Sequence, residues 1–228
     1  MPPSTNKRPI ITLENPKSPI SESYRMLRSN LDFTSFDNNE KILMVTSSGP
    51  SEGKSTTTTN LAIVYAQSDK KVLLIDADLR KPTVHQTFSR SNRSGLSNIL
   101  VGQTEWKECV QSTGIDNLSI ITSGPIPPNP SELLSSKRMG QFVEQVKGEF
   151  DVVLFDTPPT LAVTDAQVVA TNCSGVILVV DSGKTKKDAL VKAKATLDRA
   201  NARILGVVLN NVSRGKGDSY YYYYYGNK

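Results

Sequence analysis

The sequence predicts an α/β fold in which helices cover both faces of a doubly wound, mostly parallel β-sheet. Six short runs rich in β-branched residues are apolar throughout instead of alternating, which indicates strands that are buried on both faces. Longer segments with apolar stripes at helical spacing lie between them, so the order is strand, helix, strand, repeated along the chain. Ligands of such sheets bind at the carboxyl ends of the strands.

The elements follow from these two patterns, in chain order. Apolar, β-branched runs place the strands at residues 42–46, 72–75, 118–122, 152–155, 176–180 and 204–209. Apolar stripes place the helices at residues 54–67, 131–147, 164–171 and 184–200. After residue 211 the composition changes to Ser, Arg, Gly, Lys and Asp. We therefore predict a single domain over residues 1–211 with an irregular N-terminal arm, and a flexible tyrosine-rich tail over residues 212–228.

Composition and charge limit the partners. The chain has 228 residues, 37% of them hydrophobic, with a net charge of +5 and only short basic clusters, of which Lys184, Lys186 and Lys187 form the densest. This favours an anionic partner or membrane surface over nucleic acid, which we do not expect as a partner. Cys109 and Cys173 are far apart in sequence, which fits a reducing cytoplasm better than a disulfide or zinc scaffold. No apolar run reaches the 18 or so residues of a membrane span, so we expect membrane association only through a partner.

A phosphate-binding loop follows the first predicted strand. Residues 47–56 read SSGPSEGKST, and the next helix is predicted to begin near Lys54. A bound phosphate needs converging backbone N–H groups, the positive end of a helix and a mobile ammonium. Gly53 allows a close backbone approach, Lys54 can reach the β- and γ-phosphates, and the Ser55 hydroxyl can ligate Mg²⁺. The match to G-x-x-x-x-G-K-[ST] is imperfect, because Ser48 stands at the first glycine position. The pattern predicts a P-loop NTPase type of sheet that binds a nucleoside triphosphate and Mg²⁺.

Two further strand ends carry carboxylates. Asp76 and Asp78 follow the second predicted strand in DADLR, and Asp156 follows the fourth in DTPP. An aspartate directly after a buried strand beside a P-loop can hold the magnesium ion. The alternative interpretation of such an aspartate is a helix cap or turn residue. Three of them at two strand ends, together with a P-loop, favour the metal site.

These segments together resemble the bacterial tyrosine kinases, a P-loop family that regulates capsule and exopolysaccharide assembly. The family's three signature elements correspond here to SGPSEGKST, VLLIDADLR and VVLFDTPP, and a tyrosine-rich tail is a family feature. The resemblance runs from about residue 21 to the end and includes SGP at 123–125 and PNPSELL at 128–134. One departure is Ser51, where the family more often has glycine; serine tolerates a positive φ less readily.

The resemblance implies an ATP-dependent, non-specific protein-tyrosine kinase and a role for each site residue. Lys54 and Ser55 would engage phosphates and Mg²⁺, and Asp76 and Asp156 would complete the metal site. Asp78 becomes the candidate that orients or deprotonates the attacking tyrosine, and Arg80 supports the phosphates or the acidic cluster. The expected nucleotide contacts come from Gly49, Pro50, Ser51, Glu52, Gly53, Lys54, Ser55 and Thr56, with Asn210 placed to contact a base edge.

The tail and one N-terminal helix extend this hypothesis to assembly. The expected phosphate acceptors are Tyr220, Tyr221, Tyr222, Tyr223, Tyr224 and Tyr225. A helix near residues 21–31 carries Glu22, Arg25 and Arg28, which match the family's E-x-x-R-x-x-R element for subunit contact; the alternative is a solvated salt-bridge face. By the same resemblance we expect a homo-oligomer, in ring form, and a separate transmembrane activator. The kinase would then lie at the inner face of the plasma membrane and phosphorylate itself in trans, with protein substrates in polysaccharide synthesis.

Two other functions compete with the autokinase. A partition-type ATPase that dimerises around ATP needs a signature lysine early in the P-loop, and Gly49 occupies that position. A GTPase is a weaker variant, because no N-K-x-D guanine motif is present. The non-enzymatic alternative is an ATP-sensing adaptor that gates a polymer-export complex, with the tyrosines as a docking peptide.

Overall fold

One seven-stranded sheet organises the computed structural model, which describes residues 10–34 and 41–212. The strands are β1 Lys41–Ser47, β2 Val72–Asp76, β3 Gln111–Ser112, β4 Leu118–Ile121, β5 Val152–Asp156, β6 Gly175–Asp181 and β7 Ile204–Asn210. Their spatial order is β3-β4-β2-β5-β1-β6-β7. Every neighbouring pair is parallel except β3 with β4, so the predicted mostly parallel sheet is confirmed.

Helices cover both faces of this sheet. In the described ranges they are α1 Ile11–Glu14, α2 Pro19–Thr34, α3 Lys54–Ala66, α4 Val84–Thr87, α5 Leu96–Val101, α6 Trp106–Cys109, α7 Pro130–Leu134, α8 Lys137–Lys147, α9 Asp165–Ala170 and α10 Lys187–Arg199. No helix among them is long and apolar enough to cross a membrane.

Alternation along the strands divides the buried side chains between two core layers. In β1, Leu43 and Val45 pack in the layer covered by α2, α3 and α4, whereas Ile42 and Met44 pack in the layer covered by α5 to α10. Both layers are needed because the central strands are buried on both faces. The doubly wound architecture predicted from the sequence is therefore confirmed.

Some elements differ from their prediction. The helix predicted at 131–147 is two helices, because Ser136 is extended (ψ 154°) between α7 and α8. Helices α4, α5 and α6 and the short strand β3, between β2 and β4, were not predicted. The last strand is not buried on both faces: β7 lies at the edge of the sheet, and Val207 and Leu209 are 54% and 55% exposed.

Candidate active site

The P-loop connects β1 to α3 at the centre of the sheet, where β1 lies between β5 and β6. Gly53 is the residue before α3 and has φ +97°, a conformation that glycine adopts without strain. A Cβ at Gly53 would stand 2.0 Å from Nδ2 of Asn210, at the end of β7. The turn and the close approach both require glycine at this position.

Glu52 folds back into the loop and connects its two ends. Its carboxylate accepts hydrogen bonds from the Ser48 backbone N–H (3.2 Å), the Ser48 hydroxyl (2.6 Å) and the Gly49 backbone N–H (3.1 Å). The side chain is buried. The serine at the first glycine position of the motif thus has a contact that glycine could not make.

Ser51 adopts φ +62°, the left-handed conformation. Glycine is the residue that the resemblance to the bacterial tyrosine kinases implies at this position. A serine bears a steric cost in this conformation that glycine does not.

Asn210 lies against the same loop. Its side-chain amide donates a hydrogen bond to the Glu52 carbonyl oxygen at 3.1 Å. The sequence suggested a contact with a nucleotide base for this residue; the structure places its Nδ2 on the loop backbone.

Lys54 is held by two of the three predicted aspartates. Its Nζ lies 3.1 Å from Oδ2 of Asp78 and 3.8 Å from Oδ1 of Asp156, and 3.2 Å from the Ser55 hydroxyl. Burial opposes the charge of Lys54, but Asp156 and Asp78 outweigh burial and raise its pKa above the usual value. Lys54 is therefore a cation across the neutral pH range, at the point where phosphates would bind.

Asp76, the third predicted aspartate, accepts hydrogen bonds from backbone N–H groups. One carboxylate oxygen accepts hydrogen bonds from the Thr83 and Val84 backbone N–H groups (2.8 and 2.9 Å), and the other accepts one from the Asp78 N–H (3.2 Å). These contacts match the alternative interpretation of a strand-end aspartate, as a cap or turn residue. Burial, together with the nearby Asp156, raises the pKa of Asp76 to about 7 despite these hydrogen bonds.

The acidic cluster fits a divalent cation. Asp76, Asp78 and Asp156 are all buried, and Lys54 is the cation that pairs with two of them. Burial is the main cause of the raised pKa of Asp76, and the neighbouring Asp156 carboxylate adds to it. In the described ranges no three acidic, histidine or cysteine side chains are placed to hold a metal ion by themselves. Mg²⁺ sites in phosphate-transferring proteins commonly combine one or two carboxylates with substrate phosphates.

Arg80 turns away from this cluster to a fourth aspartate. Its Nε and Nη2 donate to Oδ2 and Oδ1 of Asp165 at 2.9 and 3.0 Å, and Asp165 at the start of α9 is fully buried. The Ser131 hydroxyl near the start of α7 donates to the same carboxylate. Arg80 therefore joins the segment after β2 to two helices. Sequence reasoning did not single out Asp165, because an acidic residue in the first turn of a helix is commonplace.

The predicted oligomerisation residues lie on α2. Arg25 pairs with Glu22 at 2.8 Å on the surface and donates to the Pro16 carbonyl oxygen. Arg28 instead reaches α3 of its own subunit and donates to the Val64 carbonyl oxygen at 3.0 Å. The tyrosines at 220–225 lie outside the described residues.

Comparisons with known proteins show the family of this chain. The AAA domain family model matches residues 39–204. The chain is 47% identical to tyrosine-protein kinase YwqD of Bacillus subtilis over 99% of its own length and 94% of that protein. It is 38% identical to tyrosine-protein kinase CpsD of Streptococcus agalactiae over 84% of its own length and 82% of that protein.

Solved structures give the same result. The crystal structure of the chimerical protein CapA2B2 superposes with a TM-score of 0.86 at 40% identity, over 91% of this chain and 92% of that one. The septum site-determining protein MinD of Pyrococcus horikoshii, complexed with Mg-ADP, is 23% identical with a TM-score of 0.65, over 77% of this chain and 72% of that one, and it shares the fold. The chain belongs to the AAA domain family and, within it, to the bacterial tyrosine-protein kinases.

Proposed function

We propose that this tyrosine-protein kinase uses ATP and Mg²⁺ to phosphorylate its own tyrosines at 220–225, in trans within a homo-oligomer. The observation that carries the proposal is the ion-pair cluster in which Lys54 meets Asp78 and Asp156 at the P-loop. A P-loop lysine beside strand-end carboxylates provides the charges that phosphoryl transfer needs, because catalysis of this reaction is almost entirely positioning and electrostatic stabilisation.

Lys54 and Asp78 would work as an exchanging pair. In the structure the Lys54 ammonium lies 3.1 Å from the Asp78 carboxylate and neutralises it. The β- and γ-phosphates of ATP are stronger partners for an ammonium, so their binding would draw Lys54 away. Asp78 would then be free to accept the proton of a tyrosine hydroxyl that attacks the γ-phosphate.

Ser55, Asp76 and Asp156 are the residues that would hold Mg²⁺, which when bound neutralises charge on the β- and γ-phosphates. Asp76 would contribute through its remaining lone pairs, because each carboxylate oxygen can accept more than one partner. Glu52 and Asn210 would keep the loop in shape around the phosphates. Arg80, bound to Asp165, would hold the segment that carries Asp76 and Asp78.

The wider role follows from the relatives. Several are named for capsule proteins, and we propose that this kinase likewise regulates the synthesis or export of an extracellular polysaccharide. A transmembrane activator would bring it to the inner face of the plasma membrane. Glu22, Arg25 and Arg28 would take part in subunit contact. Glu22 is exposed, and Arg25 and Arg28 are half-buried.

Autophosphorylation is tested with purified protein, ATP and Mg²⁺, followed by an anti-phosphotyrosine blot. We expect a signal for the wild type and none for Lys54→Met. The matched control is Lys70→Met, because Lys70 is exposed in the turn between α3 and β2 and should leave the signal unchanged. ATP binding by the wild type without any phosphotyrosine would instead support the ATP-sensing adaptor.

Substitutions at the aspartates test their separate roles. Asp76→Ala and Asp156→Ala should each abolish Mg²⁺-dependent phosphorylation in protein that remains folded. Asp78→Asn should slow transfer and spare ATP affinity, because a base acts on the nucleophile. An equal loss of ATP binding in Asp78→Asn would move Asp78 into the metal site.

Assembly is tested by light scattering. Each phosphate adds about −1.5 to −2 charges at neutral pH. Several phosphates on adjacent tyrosines should therefore be repelled by the active-site carboxylates, so that the tail dissociates from the active site and the oligomer weakens. We expect the largest species for a variant with Phe at 220–225 and a smaller one for phosphorylated wild type. If both have one mass, or if alanine at Arg25 and Arg28 leaves that mass unchanged, the proposed coupling between the tail and the oligomer fails.

A further inference from the structure

The positive charge of the chain is concentrated at one place. Residues 184–203, which include α10, contain seven Lys and Arg residues and two Asp residues, an excess of +5 that equals the net charge of the whole chain. All seven basic residues are exposed. We call this set the α10 basic surface: Lys184, Lys186, Lys187, Lys192, Lys194, Arg199 and Arg203.

The chain leaves the sheet beside this surface. Oδ2 of Asp181, at the end of β6, accepts a hydrogen bond from the Asn211 side chain at 3.1 Å and lies 3.3 Å from Nζ of Lys184. The Ser182 N–H also donates to the Asn210 carbonyl oxygen at 2.8 Å. One carboxylate oxygen thus contacts both the last residues after β7 and the first lysine of the basic surface.

The tyrosines are within reach of the whole surface. Tyr220 is eight positions after Val212, and an extended chain of eight steps spans about 26–29 Å. Helix α10 has 13 residues and is therefore about 20 Å long. A segment tethered so closely has a high effective concentration at the surface of its own subunit.

Phosphorylation would reverse the charge of this segment. Outside the tyrosines, residues 213–228 contain Arg214, Lys216, Lys228 and Asp218, so the unmodified segment is positive and is repelled by the basic surface. Each phosphotyrosine contributes about −1.5 to −2 charges, so three are enough to make it strongly negative. Phosphate groups are also good hydrogen-bond acceptors for Lys and Arg.

We propose that the phosphorylated tyrosine cluster binds the α10 basic surface of its own subunit. The proposal rests on the proposed autokinase function, and it gives the phosphorylated tail a binding site away from the acidic active sites of neighbouring subunits. The tail then moves between two places according to its charge: the active site when unmodified, and α10 when phosphorylated.

An anionic membrane is the other partner that a basic surface could fit, and the structure favours the tail. On α10 itself the exposed large apolar side chain is Val191, which lacks the bulk of the Trp, Phe and Leu typical of membrane-inserting helices. Asp188 and Asp198 also interrupt the lysines along α10. Asn211 and Lys184 contact the same Asp181 oxygen, so the chain that leads to the tyrosines starts beside this surface. This proximity favours the tail over a membrane as the partner.

A synthetic peptide of residues 213–228 tests the proposal independently of kinase activity. The peptide carries phosphate at Tyr220, Tyr222 and Tyr224 and a fluorescent label, and the protein is the full chain with Phe at 220–225, which presents no tyrosine in the tail. We expect saturable binding by fluorescence anisotropy, at least tenfold weaker binding of the unphosphorylated peptide, and weaker binding as salt is added.

Charge reversal locates the site. Lys186→Glu, Lys187→Glu and Lys192→Glu together should weaken phosphopeptide binding at least tenfold while leaving ATP affinity and the thermal melt unchanged. The matched control makes the same change in net charge with Lys70→Glu, Lys107→Glu and Lys137→Glu, three exposed lysines elsewhere in the chain. The control should retain binding.

Three outcomes overturn the proposal. Equal weakening by both triple variants would show a general charge effect and no site. A loss of ATP affinity in the α10 variant would make this surface part of the nucleotide site. The third outcome is that the wild type binds vesicles with 30% phosphatidylserine, that the α10 variant does not, and that the phosphopeptide does not bind at all. This result would assign the surface to a membrane. Because the peptide is phosphorylated chemically, absence of kinase activity leaves the result interpretable.

Discussion

Removal of the Glu52 carboxylate should destabilise the nucleotide-free protein measurably. Glu52→Ala deletes the acceptor of three hydrogen bonds, from the Ser48 N–H, the Ser48 hydroxyl and the Gly49 N–H. The hydroxyl can rotate to a new partner, and Gly49 is half-buried, so water can reach its N–H. The Ser48 N–H is buried, and an unsatisfied buried donor costs about 1–3 kcal/mol.

Together with the weaker losses, we expect the free energy of unfolding to fall by about 2–3 kcal/mol. In a protein of this size 1 kcal/mol corresponds to about 2–4 °C, so the melting temperature should fall by roughly 4–12 °C. Glu52→Gln keeps one carbonyl acceptor and should cost about 1 kcal/mol.

The measurement is urea denaturation followed by circular dichroism, with a thermal melt beside it. Glu144→Ala is the matched control, because Glu144 is exposed on α8 and its loss should change stability by less than about 0.5 kcal/mol. The account of the loop is refuted if Glu52→Ala stays within that range. It is also refuted if Glu52→Gln costs as much as alanine, since the effect would then not depend on the retained acceptor.

Three further substitutions have expected outcomes of their own. Ser51→Gly should raise the free energy of unfolding by up to about 1 kcal/mol in the same urea experiment, because φ +62° strains serine; a fall would show that Ser51 makes a contact worth more than the strain. Gly53→Ala should lower stability by about 2–3 kcal/mol and weaken ATP binding in a fluorescent-nucleotide titration, since its Cβ would displace Asn210 from the loop; unchanged ATP affinity would contradict this. Asp165→Asn should cost about 1–2 kcal/mol and lower kcat with little change in KM for ATP, because Arg80 loses its charged partner; a rise in KM alone would place Arg80 in nucleotide binding.

The fold was largely predictable because its strongest signals are local. The central strand β5, for example, is an unbroken apolar run over residues 152–155 followed by an aspartate, and burial on both faces permits little else in such a run. The elements that were missed are short: α4 and α6 have four residues each and β3 has two, too few for a period to be visible. The break between α7 and α8 was missed because Ser135 and Ser136 fit both a helix surface and a cap.

The site was predictable only in part, for a different reason. The positions of Lys54 and the strand-end aspartates follow from motifs that occupy consecutive residues. The partners that hold them do not: Asp165 is 85 residues from Arg80, and Asn210 is 158 residues from Glu52. Such pairs depend on which strands are neighbours, and one sequence does not state the order of strands in a sheet. The inward turn of Glu52 was likewise not visible, because glutamate in a loop is ordinarily solvated.

Strand β7 lies at the edge of the sheet and also contacts the nucleotide-binding loop, so local opening of this strand would affect that loop. A strand with one neighbour is the first to fray, since only one side of its backbone is protected from hydrogen exchange. When β7 opens, Asn210 leaves the Glu52 carbonyl oxygen and Asn211 leaves Asp181. The interior of the sheet can stay intact during such an event while the nucleotide loop loses its lateral support. The lifetime of a bound nucleotide would then depend on how often β7 opens. The hydrogen-exchange rates of the β7 amides would therefore correlate with nucleotide release under conditions in which the protein as a whole stays folded.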